Sequence, residues 1–408
     1  MTMIDKNFWR DLKWRGLVYD ATPGLDKDLS KEVTVYIGID PTGDSLHIGH
    51  LMGVTMAKRF VDAGHKAIII MGGGTSLIGD PSGKDAERPM VDYKVIEANK
   101  RKLKKQLSRF LDFDGKRVHM IDNVDWLGKV KLIEFLREVG KYMPVSSMMD
   151  KESVKARLER EQGLSYAEFS YQLLQAYDFA VLFEKHGCNV QMGGSDQWGN
   201  ILQGVDLIRR KYEKTAHGLS FPLIVDPKTG RKFGKTESGS AIWLDPEKTH
   251  PFGLYQFLIN VSDELAPTLL KFYSFKDIKV IKKVLSDWDK DRQGRLVQRV
   301  LAEELVTTVH GEKKAKQSRK VAQVLFDRGK ERMSRSDFEF VKLAIPHMEI
   351  KSKSEIVIEE VLVELGLVSS KSEARRVVEQ NGVSYELFYD KYFLVRKGKK
   401  DFGVVEME

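Results

Sequence analysis

Two histidines three residues apart, His47 and His50, are the first residues whose types and spacing suggest chemistry. They end the stretch Pro41-Thr-Gly-Asp-Ser-Leu-His-Ile-Gly-His50, which follows a β-type run and precedes an apolar helical run. Residues three apart share a helix face, and unpaired N–H groups at a helix start attract anions. Gly49 leaves room for a flat ligand near the backbone. The stretch predicts a nucleotide site with imidazoles facing phosphates. Two ordinary histidines at a helix start are the alternative, and a metal site lacks a nearby third ligand.

Two cationic side chains, Lys232 and Lys235, lie in the stretch Lys-Phe-Gly-Lys-Thr236. This stretch follows a predicted strand at 221–225 and is typical of a loop. Such a loop can fold over an anionic ligand, because lysine ammonium groups bind phosphate oxygens. A hairpin turn with exposed lysines has the same pattern and is the commoner structure for such a stretch taken alone.

A long apolar helix is predicted at 169–183, and it carries a polar stripe. Tyr171, Gln175 and Asp178 stand at i, i+4 and i+7, which places them on one face of that helix. Buried polar groups need hydrogen-bond partners, and a buried carboxylate needs them most. The stripe indicates either a polar ligand pocket, which we favour, or a structural hydrogen-bond network.

The elements that must position these side chains include three short apolar runs, at 33–37, 67–71 and 189–192. Each leads through a glycine-bearing loop towards a predicted helix, and in an open parallel sheet ligands bind at the carboxyl ends of the strands. The loop at 72–84 is not a dinucleotide fingerprint, which would need a small residue where Leu77 stands. It is not a P-loop either, because only three residues separate Gly79 from Gly83 and no Ser or Thr follows Lys84. We expect an α/β fold with a Rossmann-like parallel-sheet catalytic domain on which the three loops converge.

The composition favours a globular protein of two or three domains, with 408 residues, 42% of them hydrophobic and 31% charged. The single cysteine, Cys188, excludes a disulfide framework and suits a reducing compartment, so a cytoplasmic location is expected. No apolar run approaches the ~20 residues of a membrane span, and the N-terminal residues lack a signal-peptide core. No membrane partner is therefore expected.

The net charge of +8 is unevenly distributed along the chain. Residues 1–247 carry +3, residues 248–345 carry +7 and residues 346–408 carry −2. Helical periodicity with basic faces fills 248–345, which we expect to be an α-helical domain. The segment 346–354 resembles a linker, and 355–408 is predicted to be a small α+β unit. The surplus in the middle segment suggests a polyanionic partner, although a solvated helical surface has the same composition.

Taken together, these residues resemble a known family. Over nearly its whole length the chain looks like a bacterial tyrosyl-tRNA synthetase, a class I aminoacyl-tRNA synthetase. His47-Ile-Gly-His50 matches the first signature of the class, and Lys232-Phe-Gly-Lys-Thr236 matches the bacterial tyrosine-enzyme form of the second. The tyrosine-specific residues that also match are Tyr36, Asp80 in Gly-Asp-Pro-Ser-Gly, Tyr171, Gln175, Asp178, and Gly193-Gly-Ser-Asp196-Gln197.

The resemblance implies a division of labour along the chain. Residues 1–247 would form the catalytic domain, with a dimerisation region inserted near 125–165. Residues 248–345 would bind the anticodon region of the tRNA, and 355–408, after the linker at 346–354, would be a small ribosomal-protein-type RNA-binding domain. The resemblance also implies a homodimer, with L-tyrosine, ATP and tRNA(Tyr) as substrates.

The resemblance assigns roles to individual residues. Tyr36 and Asp178 would hold the tyrosine hydroxyl; Asp80, Tyr171 and Gln175 would hold the amino group, and Gln197 the carboxyl end. The residues implied to bind ATP and its ribose are Asp40, Gly49, Gly194, Asp196 and Lys235. The residues implied to stabilise the phosphates are Thr42, His47, His50, Lys232, Lys235 and Thr236. Further candidates for phosphate or tRNA contacts are Lys84, Arg88, Arg375 and Arg376.

The implied reaction has two steps, adenylation of tyrosine by ATP and transfer of the tyrosyl group to the 3′ end of tRNA. The attacking carboxylate is already ionised, so the first step needs charge stabilisation on the phosphates rather than a general base. Mg²⁺ is expected to accompany ATP, without protein metal ligands or a tightly bound cofactor. A site that pairs with the phenol hydroxyl rejects phenylalanine by roughly ten-thousand-fold or more. Tyrosyl enzymes are the standard example of this effect, and the magnitude is that of the family.

Two other functions fit part of the pattern. Adenylyl- and cytidylyltransferases share a His-x-Gly-His signature, but the second signature at Lys232 and the basic helical segment argue against them. A non-catalytic RNA-binding descendant of a synthetase is the other alternative, and the intact signature residues argue against it. Pyrophosphate exchange with each of the twenty amino acids separates the three hypotheses.

Overall fold

The chain folds into two units, which contain residues 1–245 with 263–285, and residues 246–262 with 286–408. The computed structural model describes residues 4–80, 91–159, 163–227, 230, 233–234, 240–326, 332–351 and 356–407. The fold class expected from the sequence, a parallel-sheet α/β domain followed by helices and a small α+β region, is confirmed.

The first unit is built on a six-stranded sheet. Its strands are β1 (Asp20–Ala21), β2 (Thr34–Ile39), β3 (Lys66–Met71), β4 (Val118–Asp122), β5 (Val190–Gly194) and β6 (His217–Phe221). Its helices are α1 (Phe8–Arg15), α2 (Leu25–Asp28), α3 (Ile48–Asp62), α4 (Tyr93–Leu107), α5 (Val124–Leu127), α6 (Leu132–Glu138), α7 (Val145–Met149), α8 (Glu152–Glu159), α9 (Tyr166–His186), α10 (Trp198–Tyr212) and α12 (Ala266–Tyr273).

The strand order in this sheet is β1-β6-β5-β2-β3-β4, and β1 alone pairs in the antiparallel sense. The chain runs outward from β2 through β3 to β4 and then returns to β5 on the other side of β2. The order therefore reverses between β2 and β5, which opens a crevice at the carboxyl ends of these strands. The predicted site residue Asp40 directly follows β2, and Asp196 follows β5 after one intervening residue.

The predicted helix at 169–183 is the central part of α9. Ser165 caps its start by accepting a hydrogen bond from the backbone N–H of Glu168, and Gly187 ends it in the left-handed conformation with φ 62°. α9 packs closely on α10, because Gly204 lacks a side chain. A Cβ added to Gly204 would lie only 2.9 Å from the ring of Phe179. The polar stripe thus sits on a helix that is otherwise fixed in the core.

The strand predicted at 221–225 is misplaced, since β6 ends at Phe221. Every residue of β6 is buried, and it pairs in parallel with β5. Pro222 has no N–H to donate to a neighbouring strand, which ends the ladder. β6 is not a continuous apolar run in the sequence, because it contains the polar residues His217 and Ser220. His217 is satisfied by Thr22 Oγ1 at 3.1 Å and Asp28 Oδ2 at 2.8 Å.

Residues 263–285 belong to the first unit, whereas the sequence assigned them to the helical segment 248–345. Two buried arginines account for this difference. Arg15 Nη1 donates to the carbonyl oxygen of Ser274 at 2.7 Å, and Arg59 Nη2 donates to the same oxygen at 2.6 Å. Charge-assisted hydrogen bonds to backbone carbonyls fix the end of α12 against α1 and α3.

The second unit combines helices with a four-stranded sheet. Its helices are α11 (Pro251–Ile259), α14 (Leu296–His310), α15 (Glu312–Phe326), α16 (Arg335–Val341), α17 (Ile358–Glu364) and α18 (Lys371–Glu379). Of α13 (Ile278–Lys290), residues 278–285 are assigned to the first unit and residues 286–290 to the second. Its strands are β7 (His347–Ile350), β8 (Val383–Phe388), β9 (Tyr392–Lys397) and β10 (Asp401–Met407), in the order β7-β10-β9-β8.

The segment predicted as a linker, 346–354, contains β7, which pairs in parallel with the final strand β10. The sheet also shares a core with the helices, since Phe388, Tyr392 and Phe402 cluster with Phe338 and other apolar side chains of α15 and α16. Tyr392 stacks on Phe338 with ring centroids 4.7 Å apart. The small α+β region is therefore packed into the helical part of its unit rather than tethered to it.

Within the residues that the structure describes, none of the helices combines the length and the apolar character needed to cross a membrane.

Candidate active site

The carboxyl ends of β2, β3 and β5 surround a cavity of about 310 Å³. The predicted site residues that line it are Tyr36, Asp40, Thr42, His50, Asp80, Tyr171, Gln175, Asp178, Gly194, Asp196 and Gln197. They come from separate strand ends and from α9, and the fold brings them together. Thr75 and Asn123 line the same cavity.

The two histidines form a reciprocal cap at the start of α3. The backbone N–H of Gly49 donates to His47 Nδ1 at 3.1 Å, and the backbone N–H of His47 donates to His50 Nδ1 at 3.2 Å. Because Nδ1 accepts in both rings, each neutral imidazole carries its proton on Nε2. An added Cβ on Gly49 would lie 2.9 Å from the His47 ring, so only glycine allows this fold-back. The cap therefore leaves Nε2–H as the donor group of each ring, and an N–H donor of this kind suits an anion.

The glycine of the second signature, Gly234, lies against the first signature. Gly234 has φ 101°, and a Cβ added to it would lie only 2.3 Å from Ile48 Cγ2. Its carbonyl oxygen accepts a hydrogen bond from the backbone N–H of Ile242 at 2.8 Å. Ile242 in turn accepts from the backbone N–H of Ile48 at 2.9 Å. The glycine between the two signature lysines is therefore fixed beside the N-terminus of α3.

Several predicted residues lie elsewhere. Lys84, Arg88, Lys232, Lys235 and Thr236 are outside the described residues. Arg375 and Arg376 are exposed on α18, in the second unit, and are not part of the cavity.

One end of the cavity holds a buried carboxylate beside a buried phenol. Asp178 Oδ1 accepts from Trp126 Nε1 at 2.7 Å, and its Oδ2 accepts from Asn123 Nδ2 at 2.9 Å. Burial raises the pKa of Asp178 to about 7, although the hydrogen bonds from Asn123 and Trp126 each lower it. Burial and the charge of Asp178 raise the pKa of Tyr36, so its hydroxyl stays protonated. Among the described residues this hydroxyl has no hydrogen-bond partner, which leaves a buried donor available to a ligand.

Asp40 is fixed by hydroxyl donors. Tyr171 Oη donates to Asp40 Oδ2 at 3.0 Å, and Thr75 Oγ1 donates to Asp40 Oδ1 at 2.8 Å. The carboxylate lies so close to Gly72 that an added Cβ there would be 2.0 Å from Asp40 Oδ1. Burial, then the charges of Asp40 and Asp80, raise the pKa of Tyr171. This tyrosine therefore remains a hydroxyl whose oxygen can accept a hydrogen bond from a cationic ligand.

Asp80 and the two glutamines form a second cluster. Gln197 Nε2 donates to Asp80 Oδ2 at 2.7 Å. Asn200 Nδ2 donates to Gln175 Oε1 at 2.9 Å and to Gln197 Oε1 at 3.1 Å. Lys151 Nζ donates to Asn200 Oδ1. The cluster offers carboxylate and amide groups suited to the ammonium and carboxylate of an amino acid.

The predicted ribose contacts lie at the end of β5. Asp196 folds back over Gly194, where an added Cβ would be 2.8 Å from Asp196 Oδ1. A carboxylate held over bare backbone can accept hydrogen bonds from the two hydroxyls of a ribose.

Sequence reasoning missed Thr75, Asn123, Trp126, Asn200 and Lys151. Asn123 follows β4 directly and Trp126 lies in α5, so the carboxyl end of a fourth strand was the available signal. For Asn200 the signal was its place after Gly193-Gly-Ser-Asp-Gln197 at the start of α10. Lys151 stands among other charged residues and gave no signal.

Comparison with known proteins identifies the family. A sequence model of the family described as tRNA synthetases class I (W and Y) matches residues 27–327. A tyrosine–tRNA ligase from Streptococcus suis (strain 98HAH33) is 42% identical over 420 residues, which cover 98% of this chain and 99% of that protein. A tyrosine–tRNA ligase from Roseiflexus castenholzii (strain DSM 13941 / HLO8) is 43% identical over 381 residues, which cover 91% of this chain and 89% of that protein.

Among solved structures, a C-terminally truncated mitochondrial tyrosyl-tRNA synthetase from Aspergillus nidulans superposes with a TM-score of 0.70. It is 32% identical in sequence, and the match covers 78% of this chain and 94% of that one. Since the family match spans most of the chain and the two bacterial relatives align over almost all of it, the chain belongs to the class I tRNA synthetases, in the family of the tryptophan and tyrosine enzymes.

Proposed function

We propose that this protein is a tyrosine–tRNA ligase, which activates L-tyrosine with ATP and transfers the tyrosyl group to tRNA(Tyr). The observation that carries the choice of amino acid is the pair formed by Asp178 and Tyr36 in the cavity. Relatives of this name align over almost the entire chain.

A phenol hydroxyl both donates and accepts a hydrogen bond. In our proposal the phenol of the substrate donates to the Asp178 carboxylate and accepts from the Tyr36 hydroxyl, which has no partner among the described residues. Phenylalanine would leave the Tyr36 hydroxyl buried and unpaired and would give the Asp178 carboxylate no donor beyond Asn123 and Trp126, a cost that discriminates against it. An indole ring offers only a donor, so it would leave the Tyr36 hydroxyl unpaired as well.

The charged end of tyrosine fits the second cluster. Its ammonium group would be held by Asp80, Tyr171 and Gln175, and its carboxylate by Gln197. The ammonium only donates, and the Asp80 carboxylate and the Tyr171 oxygen can accept. Tyr171 donates its own proton to Asp40, so that its lone pairs remain for the ligand.

In the first step, a carboxylate oxygen of tyrosine attacks the α-phosphorus of ATP, and the bond from that phosphorus to the bridging oxygen of pyrophosphate breaks. Negative charge develops on the phosphates, and groups that donate to them lower the barrier. The candidates are Thr42, the Nε2–H groups of His47 and His50, and Lys232, Lys235 and Thr236 of the second signature. Magnesium enters with ATP as part of the substrate. The described residues include no cluster of three or more His, Cys, Asp or Glu able to hold a metal ion.

In the second step, a ribose hydroxyl at the 3′ end of the tRNA attacks the carbonyl carbon of tyrosyl-adenylate. The bond from that carbon to the phosphate oxygen breaks, AMP leaves as the anion, and the proton of the hydroxyl is released to water. We assign tRNA binding to the basic helical segment and to the exposed side chains Arg375 and Arg376 on α18. Phosphate contacts of this kind make affinity salt-dependent.

We also propose that the protein is a homodimer joined through the segment 125–165. Large apolar side chains on α6 and α7 of this segment are exposed: Leu132, Ile133, Leu136, Val145 and Met149. An exposed apolar surface of this kind suits a contact with a second copy. The cytoplasmic location expected from the single cysteine stays a prediction.

The experiment that tests the function is pyrophosphate exchange into ATP with each of the twenty amino acids. We expect exchange with tyrosine. Exchange with tryptophan instead would reassign the amino acid, and no exchange with any amino acid would favour the transferase or the non-catalytic alternative.

A further inference from the structure

Lys151, directly before α8, is a buried lysine that the proposed reaction does not use. Its side chain is 9% exposed, and its Nζ donates to Asn200 Oδ1. Its aliphatic stem lies flat on Gly199, where an added Cβ would be 3.1 Å from Lys151 Cγ. Burial lowers the pKa of Lys151, while the charges of Asp80 and Asp196 favour its protonated form. Burying an ammonium group is costly, which calls for a compensating role.

Asn200 links this lysine to the charged end of the amino-acid site. It donates to Gln175 Oε1 at 2.9 Å and to Gln197 Oε1 at 3.1 Å, and Gln197 then donates to Asp80 Oδ2 at 2.7 Å. Every hydrogen bond in this chain of contacts points in the same direction, from Lys151 to Asp80.

The two ends of the chain fix that direction. A lysine ammonium only donates, and an ionised carboxylate only accepts. If the Asn200 amide were reversed, its NH₂ group would face the ammonium and its oxygen would face both glutamine oxygens. Amide groups differ little in shape between their two orientations, so the choice depends on such partners. Replacing Lys151 by an apolar residue removes the donor that selects the observed orientation.

We infer that Lys151 is a positioning residue for tyrosine, which acts through Asn200 to fix the amide orientations of Gln175 and Gln197. The inference rests on the proposed function, in which these two glutamines face the ammonium and carboxylate of the substrate. Of the residues in this chain of contacts, Asp80, Gln175 and Gln197 line the cavity. Lys151 therefore affects the charged end of tyrosine and not the phenol end.

The position of α8 does not depend on the Lys151 ammonium. Arg157 anchors the same helix, since its Nη2 donates to the Gly163 carbonyl oxygen at 2.6 Å and pairs with Glu168 Oε2 at 3.1 Å. Lys151→Met keeps the aliphatic stem over Gly199 and removes the donor alone. The matched control is Lys155→Met, because Lys155 lies on the same helix, is half exposed and pairs with Asp150.

The experiment measures tyrosine and phenylalanine binding by equilibrium dialysis, the KM for ATP by pyrophosphate exchange, and the Tm. We expect Lys151→Met to weaken tyrosine binding on the order of tenfold. The KM for ATP and the ratio of tyrosine to phenylalanine affinity should stay within about twofold, because neither depends on the amide orientations. Lys155→Met should resemble the wild type. Unchanged tyrosine binding in Lys151→Met, or equal losses for tyrosine and ATP, would overturn the inference.

A double-mutant cycle tests whether Lys151 acts through Asn200. In an Asn200→Ala background, Lys151→Met should cause no further loss of tyrosine affinity, and additive losses would contradict the mechanism. Asn200→Asp gives an independent test, since it keeps an acceptor for Lys151 but loses both donors to the glutamines. Wild-type tyrosine affinity in that variant would also overturn the inference. Failure of the proposed function differs from all these outcomes, because the wild-type protein itself would then not bind tyrosine.

Discussion

Replacing Asp178 by asparagine should weaken tyrosine binding about 10- to 150-fold, while the KM for ATP stays within about twofold. The substitution keeps the size of the side chain and removes its charge. In the proposed complex the carboxylate accepts the phenol proton, and a hydrogen bond to a charged group contributes about 1.5–3 kcal/mol. In the same proposal ATP is held at other residues of the cavity and at the two signatures, so its binding should not depend on this charge.

The structure adds a second consequence of the same substitution. Asp178 accepts from Trp126 at 2.7 Å and from Asn123 at 2.9 Å, so both its oxygens already have a donor. The NH₂ group of an asparagine would face one of these donors. Leaving a buried donor unpaired costs about 1–3 kcal/mol, and the free energy of unfolding should fall by that amount.

Tyr36→Phe is the matched control for this experiment. The Tyr36 hydroxyl is buried without a partner among the described residues, so removing it breaks no hydrogen bond there. The Tm should stay the same or rise, while tyrosine affinity should fall about 2- to 12-fold, the effect of one neutral hydrogen bond. Equilibrium dialysis with tyrosine and phenylalanine, exchange kinetics for ATP, and thermal unfolding measure all the quantities.

Equal losses of tyrosine and ATP binding in Asp178→Asn would refute the reasoning. They would mean that Asp178 serves the structural network with Asn123 and Trp126, the alternative that the polar stripe on α9 leaves open. If Tyr36→Phe lowered the Tm without any loss of tyrosine affinity, the phenol of the substrate would not bind at this end of the cavity.

Three further predictions concern other parts of the molecule. Ile133→Glu should convert the proposed dimer to a monomer, because it places a charge in an apolar contact. Light scattering at micromolar concentration measures the molecular mass, and a monomeric wild-type protein would contradict the proposed interface. Removing residues 350–408 should preserve pyrophosphate exchange but abolish tRNA charging, because it exposes the apolar cluster around Phe338 in the second unit. Salt-dependent tRNA binding equal to that of the full chain would disprove this prediction. Burial lowers the pKa of His65 to about 4, so the unfolded state binds more protons and stability should fall as pH drops from about 6.5 to about 4. His65→Phe should flatten that slope in urea unfolding, and an unchanged slope would exclude His65 as its source.

The parts of the site that sequence could predict are those encoded by local pattern. A strand, a glycine-bearing loop and a helix start in succession define where a ligand can bind, whatever the rest of the fold. The stripe of Tyr171, Gln175 and Asp178 was visible because polar residues at helical spacing stand out in an apolar helix. The roles of these residues came from the resemblance to a family, since spacing alone left a structural network possible.

The parts that sequence could not predict depend on partners far apart in the chain. β7 is a strand because β10, more than fifty residues later, pairs with it, so its own residues resembled a linker. Lys151 looked like any surface lysine, and only its contact with Asn200 distinguishes it. The assignment of 263–285 to the first unit depends on Arg15 and Arg59, which lie more than two hundred residues away.

The charges around the cavity indicate where the two substrates of the proposed reaction must meet. The carboxylates that line it are Asp40, Asp80, Asp178 and Asp196. They favour an ammonium group and repel a triphosphate, so the phosphates have to lie outside them. Gly234 packs against Ile48, which places this glycine of the second signature beside the helix start capped by the two histidines. In the proposed complex the phenol lies at Asp178 and the ammonium group at Asp80, so the substrate carboxylate would meet the α-phosphate where the acidic cavity borders the start of α3. Catalysis there would depend on cationic groups and N–H donors that stabilise the phosphates, and no general base would be needed.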